Sequence, residues 1–147
     1  MKPQDSPGFL LWHVTLRWQR AVTAALAPLD LTHVQFVLLA SLWWLNEHGE
    51  HPNQLTVARQ AGTDVKMTSQ VVRRLEDKGL VERQTHHTDT RAKQLRVTAR
   101  GADLARRAVT EVERVDADFF RVVRDGSQLL AMLRLLAAMD STAEADH

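Results

Sequence analysis

The chain of 147 residues contains no cysteine and no tyrosine, and aromatic residues make up only 5% of it. The absence of cysteine excludes disulfide bonds, thiolate metal ligands, a cysteine nucleophile and thiol-based redox sensing. The longest apolar stretches, residues 34–45 and 129–139, are shorter than the roughly 18 residues that suggest a bilayer span. Residues 1–8 show no small-residue cleavage site, so we expect no secretory signal and a cytoplasmic protein.

Motifs of the common enzyme classes are also missing. The sequence has no glycine-rich phosphate loop, no His-Glu-x-x-His pair and no nucleophile elbow. We therefore expect no enzymatic activity and no cofactor. A hydrophobic content of 44% and a charged content of 25% predict one compact domain, or one domain with helical extensions.

The net charge of +1 conceals an uneven distribution of charged residues. Residues 1–62 carry four basic and four acidic side chains, residues 63–100 carry nine basic and five acidic, and residues 101–147 carry six basic and nine acidic. A basic middle segment is typical of a module that binds a polyanion, although chance clustering on a solvated face gives the same count. The spacing of the residues has to decide between the two.

Helical periodicity dominates the first third of the chain. Apolar residues recur at mostly helical spacing from residue 9 to residue 27, where Pro28 ends the pattern, and they cover more than one side. We therefore expect a helix that is buried on two sides, with a partner chain covering the second. Thr32 is a suitable N-cap for a second helix that runs to about Glu47.

Two short helical patterns then follow each other closely. Residues 53–61 form the first and stop at Gly62, and residues 65–78 form the second and end at Gly79. Two helices joined by a short turn that contains glycine are typical of a helix-turn-helix. In the second helix Val65, Thr68, Val72 and Leu75 share one face, which we expect to pack inward.

The periodicity changes after Gly79. Residues 80–85 and 94–98 alternate as strands do, with a polar tip at residues 86–93 between them, which predicts a hairpin. Thr98 then caps a long helix that extends to about residue 123 and carries Gly101 in its first turn. A break at residues 125–127 precedes a last, strongly apolar helix at residues 127–139.

Four segments together resemble the MarR family of bacterial transcription regulators, in this order and spacing. They are residues 31–39 (LTHVQFVLL), 75–83 (LEDKGLVER), 89–91 (DTR) and 95–101 (LRVTARG). The resemblance implies a homodimer in which each protomer presents a winged helix-turn-helix to double-stranded DNA. It also implies that DNA affinity responds to a small, often aromatic or phenolic, effector.

The predicted fold is mainly α with a small β-hairpin wing. Its expected parts are a flexible leader (residues 1–8), an N-terminal dimerisation helix (9–31), a winged helix-turn-helix (32–100), C-terminal dimerisation helices (101–140) and a tail (141–147). The predicted function is that of a regulator, a repressor by expectation, acting on a pseudo-palindromic operator. The alternative is a winged-helix module that binds proteins and has no specific DNA target.

The second helix of the helix-turn-helix is the expected reading element, since side chains near the amino end of such a helix reach base edges in the major groove. Gln70 suits a bidentate pair with adenine, Arg73 suits a guanine or a phosphate, and Ser69 and Arg74 suit the DNA backbone. The other reading is that these are ordinary solvated residues. The candidate contacts on this helix are Lys66, Met67, Thr68, Ser69, Gln70, Arg73 and Arg74.

The resemblance assigns the wing a second contact. Asp89 and Arg91 match the family's Asp-x-Arg pair, in which the carboxylate orients a guanidinium that enters the minor groove. Lys93 adds a phosphate contact. Alternatively, the pair is a surface ion pair that only stabilises the hairpin, which contributes under ~1 kcal/mol.

Tryptophans dominate the few aromatic residues, four of the eight, and suggest where an effector binds. In the family the effector pocket lies between the first two helices, the long helix and the DNA-binding lobe. Residues that match this location are Trp12, His13, Arg17, Trp43 and Trp44. A cation beside indole rings suits an aromatic carboxylate or phenolate, but plain core or dimer packing accounts for the same tryptophans.

The seven histidines raise the question of a metal site. His48 and His51 flank a turn with Glu47 and Glu50 nearby, which is a conceivable zinc cluster. The adjacent His86 and His87 do not suit a shared site on a strand, because neighbouring residues point to opposite faces. Solvated loop residues explain all four histidines, and we predict no metal.

Overall fold

The structure is a computed structural model that describes residues 1–85 and 93–139. It divides into two compact units, Met1–Val115 and Asp116–His147. The first unit holds four complete α-helices, most of a fifth and a two-stranded antiparallel sheet, and the last helix belongs to the second unit. The elements are α1 (Pro7–Leu26), α2 (His33–Glu47), α3 (Gln54–Ala61), α4 (Val65–Asp77), β1 (Val81–Thr85), β2 (Lys93–Val97), α5 (Ala99–Phe119) and α6 (Gly126–Ala137).

The first helix starts earlier than the apolar pattern predicts. Ser6 is its N-cap and accepts a hydrogen bond from the backbone N–H of Phe9 at 3.4 Å, and Pro7 occupies the first helical position. Proline is favoured there because the missing N–H would have no helical partner. Residues 7 and 8 therefore belong to α1, and Pro3–Asp5 form a short 3-10 turn where the sequence predicted an unstructured leader.

Four capping and stop residues of the following helices, Thr32, Gly62, Gly79 and Thr98, lie where the sequence predicts them. Thr32 and Gln35 form a reciprocal capping box at the start of α2, with both hydrogen bonds at 3.2 Å. Gly62 and Gly79 have φ angles of 72° and 74°, a left-handed conformation that glycine adopts without strain. The Thr98 hydroxyl accepts the N–H of Gly101 at 3.0 Å and so caps α5 as predicted.

The hairpin is joined to the helices through its second strand. Residues pair in register from Val81 with Val97 to Thr85 with Lys93. Two N–H groups of β2 find acceptors outside the hairpin: Leu95 donates to the Pro52 carbonyl at 2.8 Å and Val97 to the Asn46 side chain at 2.9 Å. The end of α2, through Asn46, and the turn before α3, through Pro52, therefore hold the hairpin in the first unit.

The core of the first unit gathers leucines and valines from every helix of that unit and from both strands. Three of the four buried residues of α5, Gly101, Ala105 and Ala108, are small and allow that helix to approach closely, and the fourth is Val112. The predicted mainly α fold with one small hairpin is confirmed. Fully buried members of the core include Val22, Leu26, Leu38, Leu39, Leu42, Val57, Leu75, Leu80, Leu95, Ala105 and Ala108.

The second unit consists of the last turn of α5, a 3-10 turn at Phe120–Val122 and α6. The sequence predicted the long helix to about residue 123, but α5 ends at Phe119 and the chain tightens into the 3-10 turn. Asp125 accepts the N–H of Gln128 at 3.1 Å, so the cap lies two residues before the predicted start of α6. Most of the apolar side chains of α6 are exposed.

In the described residues no single helix is both long and apolar enough to cross a membrane. One pair of helical segments, Pro7–Leu29 with His33–Glu47, passes by length and composition when taken together, but it is bent by 74°.

Candidate DNA interface

Helices α3 and α4 form the predicted helix-turn-helix, joined by Gly62, Thr63 and Asp64. The Asp64 carboxylate caps α4 by accepting the N–H of Met67 at 2.7 Å. Asn53 caps α3 in the same manner through the N–H of Thr56 at 2.9 Å. Both helices therefore begin at fixed residues, and this sets the direction in which α4 presents its side chains.

Helix α4 separates its residues into a buried and an exposed face. Thr68, Val72 and Leu75 are buried against the core, as the spacing predicts. The opposite face combines three cations with hydrogen-bonding and apolar groups. Its exposed residues are Lys66, Met67, Gln70, Arg73, Arg74 and Asp77, and Ser69 is half-buried beside them.

Thr68 does not belong to the candidate DNA contacts, although the sequence analysis included it. Its side chain is fully buried. Its hydroxyl donates to the Asp64 carbonyl and lies 2.7 Å from the Thr63 hydroxyl. Thr68 therefore stabilises the first turn of α4 and has no free surface for DNA.

Val65 is the second correction on this helix. The helical spacing predicted that it packs inward with Thr68, but its side chain is 60% exposed. Val65 is the first helical residue of α4, and the inward side of that turn is closed by the Thr63 and Thr68 hydroxyls. Helical spacing identifies a face but not where the core beneath it ends.

Arg83 connects three elements of the interface, a role the sequence analysis did not assign. Its Nε donates to Glu76 of α4 at 2.7 Å, and Nη2 donates to Gln54, the first residue of α3, at 3.0 Å. Arg83 and Glu76 are both largely shielded from solvent. Since Arg83 lies on β1, this contact fixes the hairpin against both helices of the helix-turn-helix.

The carboxyl end of α4 is tied to the connection between α1 and α2. Lys78 follows the last residue of α4, and its Nζ donates to the backbone carbonyl of Asp30 and, at 3.0 Å, to the Gln35 side chain. The same Nζ lies 3.6 Å from the exposed Asp30 carboxylate. Gln35 also takes part in the capping box of α2, so Lys78 reaches the first turn of that helix.

The same end of α4 is also tied to the start of α5. Arg100 donates to the Lys78 carbonyl at 3.1 Å, and the Thr98 hydroxyl donates to the Gly79 carbonyl at 2.7 Å. We call Asp30, Gln35, Lys78, Thr98 and Arg100 together the α4 anchor. No sequence signal identifies the anchor, because Lys78 is separated from Gln35 by 43 positions and from Asp30 by 48.

The predicted minor-groove contact falls between the two strands of the hairpin in the sequence. Lys93 opens β2 with an exposed side chain, as a phosphate contact requires. Asp89 and Arg91 lie outside the described residues, so the predicted Asp-x-Arg pair stays a prediction. The described part of the hairpin establishes only where the two strands enter and leave the tip.

The predicted effector residues differ widely in their surroundings. Trp12 is 62% exposed, and His13 and Arg17 are exposed on the same helix. Trp43 packs against the core, and its indole N–H is buried without a hydrogen-bond partner in the described part of the chain. Trp44 is exposed and lies against the His48 ring, with the ring centroids 4.1 Å apart.

Two surface clefts of the first unit are lined by other residues. A cleft of about 340 Å³ lies between the end of α1 and α5, beside Pro28 and Arg107. A second, of about 470 Å³, lies along α1 beside Leu16 and Arg20. Neither cleft includes any of the five predicted effector residues, so the assignment of those residues stays a prediction.

His48, at the turn after α2, makes contacts within its own segment. The His48 ring nitrogen Nδ1 lies 2.8 Å from the Trp44 carbonyl, and the ring stacks on the indole of the same residue. Among residues 1–85 and 93–139, no three His, Asp or Glu side chains are grouped as a metal site requires.

Comparison with known proteins relates this chain to known families. The family model described as ArnR1-like, winged-helix domain matches residues 28–115. The uncharacterized HTH-type transcriptional regulator YdcH of Bacillus subtilis is 43% identical over 134 residues, which is 91% of each chain. The HTH-type transcriptional repressor Rv2887 of Mycobacterium tuberculosis is 36% identical over 114 residues, which is 77% of this chain and 79% of Rv2887.

Solved structures extend the likeness to three dimensions. CouR from Rhodococcus jostii RHA1, bound to p-coumaroyl-CoA, has a TM-score of 0.81 at 29% identity and covers 93% of this chain and 95% of CouR. Rv2887, a MarR family protein, was crystallised with salicylic acid. Its structure has a TM-score of 0.67 at 32% identity, and the match covers 90% of this chain and 95% of the Rv2887 chain. The likeness includes the helices on both sides of the helix-turn-helix.

Proposed function

This chain belongs to the MarR family of winged-helix transcriptional regulators, and we propose that it binds a pseudo-palindromic operator as a homodimer and represses transcription. The repressor assignment rests on the relative Rv2887, which is named a repressor. A reporter gene under the operator, with and without the protein, tests it. Since a DNA-binding regulator acts where the chromosome lies, the proposal includes a cytoplasmic location.

The observation that carries the proposal is the outer face of α4. Lys66, Arg73 and Arg74 supply positive charge for phosphates, and Gln70 supplies a donor and an acceptor on one planar amide. These side chains are exposed on a helix whose amino end is capped and whose carboxyl end is anchored. A rigid, basic helix of this kind fits the major groove, where such groups read bases and hold the backbone.

Gln70 and Arg74 are proposed to have different tasks, and a matched pair of substitutions separates them. Gln70→Ala is expected to relax discrimination at one base pair of each half-site, by about 1–3 kcal/mol, because a bidentate pair with adenine is lost. Arg74→Ala is expected to weaken binding to all sequences alike, because a phosphate contact carries no sequence information. Electrophoretic shift titrations on the operator and on single-base variants measure both effects.

The other variant serves as the control in each case. Arg74→Ala should leave the ranking of the base variants unchanged, and Gln70→Ala should leave the affinity for random DNA unchanged. Equal affinity of both variants and the native protein for every duplex would contradict the DNA-binding assignment of α4. That result would favour the alternative function, in which this face of α4 binds a protein target.

The proposal of a homodimer rests on apolar surfaces at both ends of the chain. Phe9, Leu10, Leu11, Trp12 and Val14 of α1 are each 43% exposed or more. Within the second unit, α6 exposes Leu130, Met132, Leu133, Leu135 and Leu136. Exposed apolar side chains concentrated on single helices mark interaction surfaces. A second copy of the chain is the partner that also supplies a second reading helix for a pseudo-palindrome.

A charge introduced on α6 is expected to prevent dimer formation. Leu136→Glu places a carboxylate on a side chain that is 79% exposed in the single chain, so the protomer itself should fold. Burial of that carboxylate in a dimer interface is unfavourable. Sedimentation velocity should then show monomers, and affinity for a two-half-site operator should fall by roughly 10²–10⁴-fold, because the linkage of the half-sites is lost.

Gln128→Glu is the matched control, since it adds the same charge to an exposed polar position of the same helix. It should leave the oligomeric state unchanged. A Leu136→Glu protein that sediments as the native protein does would contradict the assignment of α6 to the dimer interface.

The proposal also includes a small-molecule effector. CouR and Rv2887 were crystallised with p-coumaroyl-CoA and salicylic acid, both of which carry an aromatic ring. We assign the effector of this chain to the same chemical class, with Trp12, His13, Arg17, Trp43 and Trp44 as candidate contacts. Titration of the tryptophan fluorescence with aromatic acids, followed by operator binding in their presence, tests this assignment.

A further inference from the structure

The first turn of α4 exposes an aliphatic side chain at the end of the helix that is proposed to enter the groove. Val65 is 60% exposed, and the next residue on the chain is the exposed cation Lys66. Single exposed apolar residues are common and need no explanation by themselves. The position of Val65 is what gives it meaning, because residues at the amino end of a reading helix come closest to base edges.

Three hydrogen bonds hold the backbone around Val65. The Asp64 side chain accepts the N–H of Met67 at 2.7 Å, and the Asp64 carbonyl accepts the Thr68 hydroxyl at 2.7 Å. The Thr63 hydroxyl adds a third contact at 2.7 Å from the Thr68 hydroxyl. These bonds join residues 63 and 64, before Val65, to residues 67 and 68, after it. The Cα of Val65 therefore has a fixed position relative to the rest of α4.

Valine also loses little freedom on binding. A β-branched side chain is restricted at χ1, so the two methyl groups of Val65 have little rotational freedom to lose. The apolar group that a major groove offers is the 5-methyl group of thymine. A pre-oriented valine at the groove end of α4 is complementary to that group, since valine has no donor or acceptor for the polar atoms of the other base edges.

We propose that Val65 contacts the 5-methyl group of one thymine in each half-site and so contributes to sequence discrimination. The proposal rests on the proposed function, and it adds a specificity-determining residue that forms no hydrogen bond. Val65 would act beside Gln70, which reads a donor and acceptor pattern, so the two residues discriminate by different physical interactions.

The experiment removes the methyl group from the DNA and from the protein separately. A preferred duplex is first selected from random oligonucleotides with the full-length native protein. Each thymine of that duplex is then replaced, one at a time in both half-sites, by deoxyuridine, which keeps every hydrogen-bonding group and lacks only the 5-methyl group. Affinities are measured for the native protein, for Val65→Ala and for Met67→Ala, whose parent residue is the other exposed apolar side chain of this turn.

At one thymine position, replacement by deoxyuridine is expected to lower the affinity of the native protein by about four-fold for each methyl group removed. This factor corresponds to ~0.8 kcal/mol. Val65→Ala should bind the thymine and deoxyuridine forms of that position equally well. Met67→Ala, whose overall affinity is allowed to change because Met67 is itself a candidate DNA contact, should keep the native preference for thymine over deoxyuridine. Because Val65 is exposed, Val65→Ala should also unfold at the same temperature as the native protein.

Several results would overturn the inference. A Val65→Ala protein that still distinguishes thymine from deoxyuridine, or a native protein without any sensitive thymine, removes the methyl contact. If the preference for thymine disappears in Met67→Ala and not in Val65→Ala, Met67 makes the methyl contact and the inference about Val65 is wrong. If the native protein selects no duplex at all, the proposed function fails first, and this inference fails with it.

Discussion

An increase in salt from 50 to 200 mM is expected to lower the operator affinity of the native dimer by about 10⁴-fold. The proposed interface holds four exposed cations in each protomer, Lys66, Arg73, Arg74 and Lys93, and hence eight in a homodimer. Each neutralised phosphate releases condensed counterions, so the logarithm of the binding constant falls with the logarithm of the salt concentration with a slope of about −0.9 per contact. Eight contacts give a slope of roughly −7.

Two variants test whether the slope comes from the proposed face. Lys66→Gln should make the slope shallower by about 2, one phosphate contact being lost in each protomer. Arg114→Gln removes an exposed cation of α5 that is paired with Glu111, and it should leave the slope unchanged. Fluorescence anisotropy of a labelled operator over a salt series gives both slopes. A nearly flat salt dependence of the native protein would favour the protein-binding alternative.

Gly101→Ala is expected to destabilise the first unit by about 3 kcal/mol, which lies at the upper end for overpacking. A Cβ at this position would lie 1.9 Å from the carbonyl oxygen of Leu80, and backbone atoms cannot rotate away as a flexible side chain does. The same carbonyl accepts the N–H of Thr98 at 3.0 Å, so it is held in place. For a chain of this length the expected loss corresponds to a fall in melting temperature of about 10 °C.

Gly8→Ala is the control for the loss of a glycine. Gly8 lies in the first turn of α1, where a Cβ would meet nothing within 4 Å. Alanine is the better helix former, so this variant should be at least as stable as the native protein. Thermal unfolding followed by circular dichroism compares the two. A Gly101→Ala protein within about 1 kcal/mol of the native stability would show that Leu80 and α5 can move apart at little cost.

The fold was predictable from the sequence wherever the determining residues are close together along the chain. Thr32, Gly62, Gly79 and Thr98 begin or end their elements as predicted, since a cap or a left-handed glycine acts within about four residues. Val65 was predicted wrongly because periodicity defines a face and not the extent of the core. The start of α1 was missed because Ser6 and Pro7 act through capping and not through apolar spacing.

The support of the candidate site was not predictable from local patterns. Arg83 binds Glu76 and Gln54, and Lys78 binds Gln35, in each case through side chains that come together only in the folded unit. By contrast, the exposed cations of α4 follow from the spacing alone, because they lie opposite the buried residues Val72 and Leu75. What α4 presents to solvent is therefore encoded locally, and how α4 is held is not.

The α4 anchor holds the carboxyl end of α4, the proposed reading helix, so any tilt of this helix moves its amino end most. The 13 residues of α4 extend about 20 Å from Lys78 to the turn that carries Val65. A tilt of about 5° at the fixed end would displace the far end by about 1.7 Å over that length, enough to take a side chain out of hydrogen-bonding range of a base. A slight rotation of the segment around Asp30, or of the first turn of α5, would thus switch off base recognition without unfolding any helix.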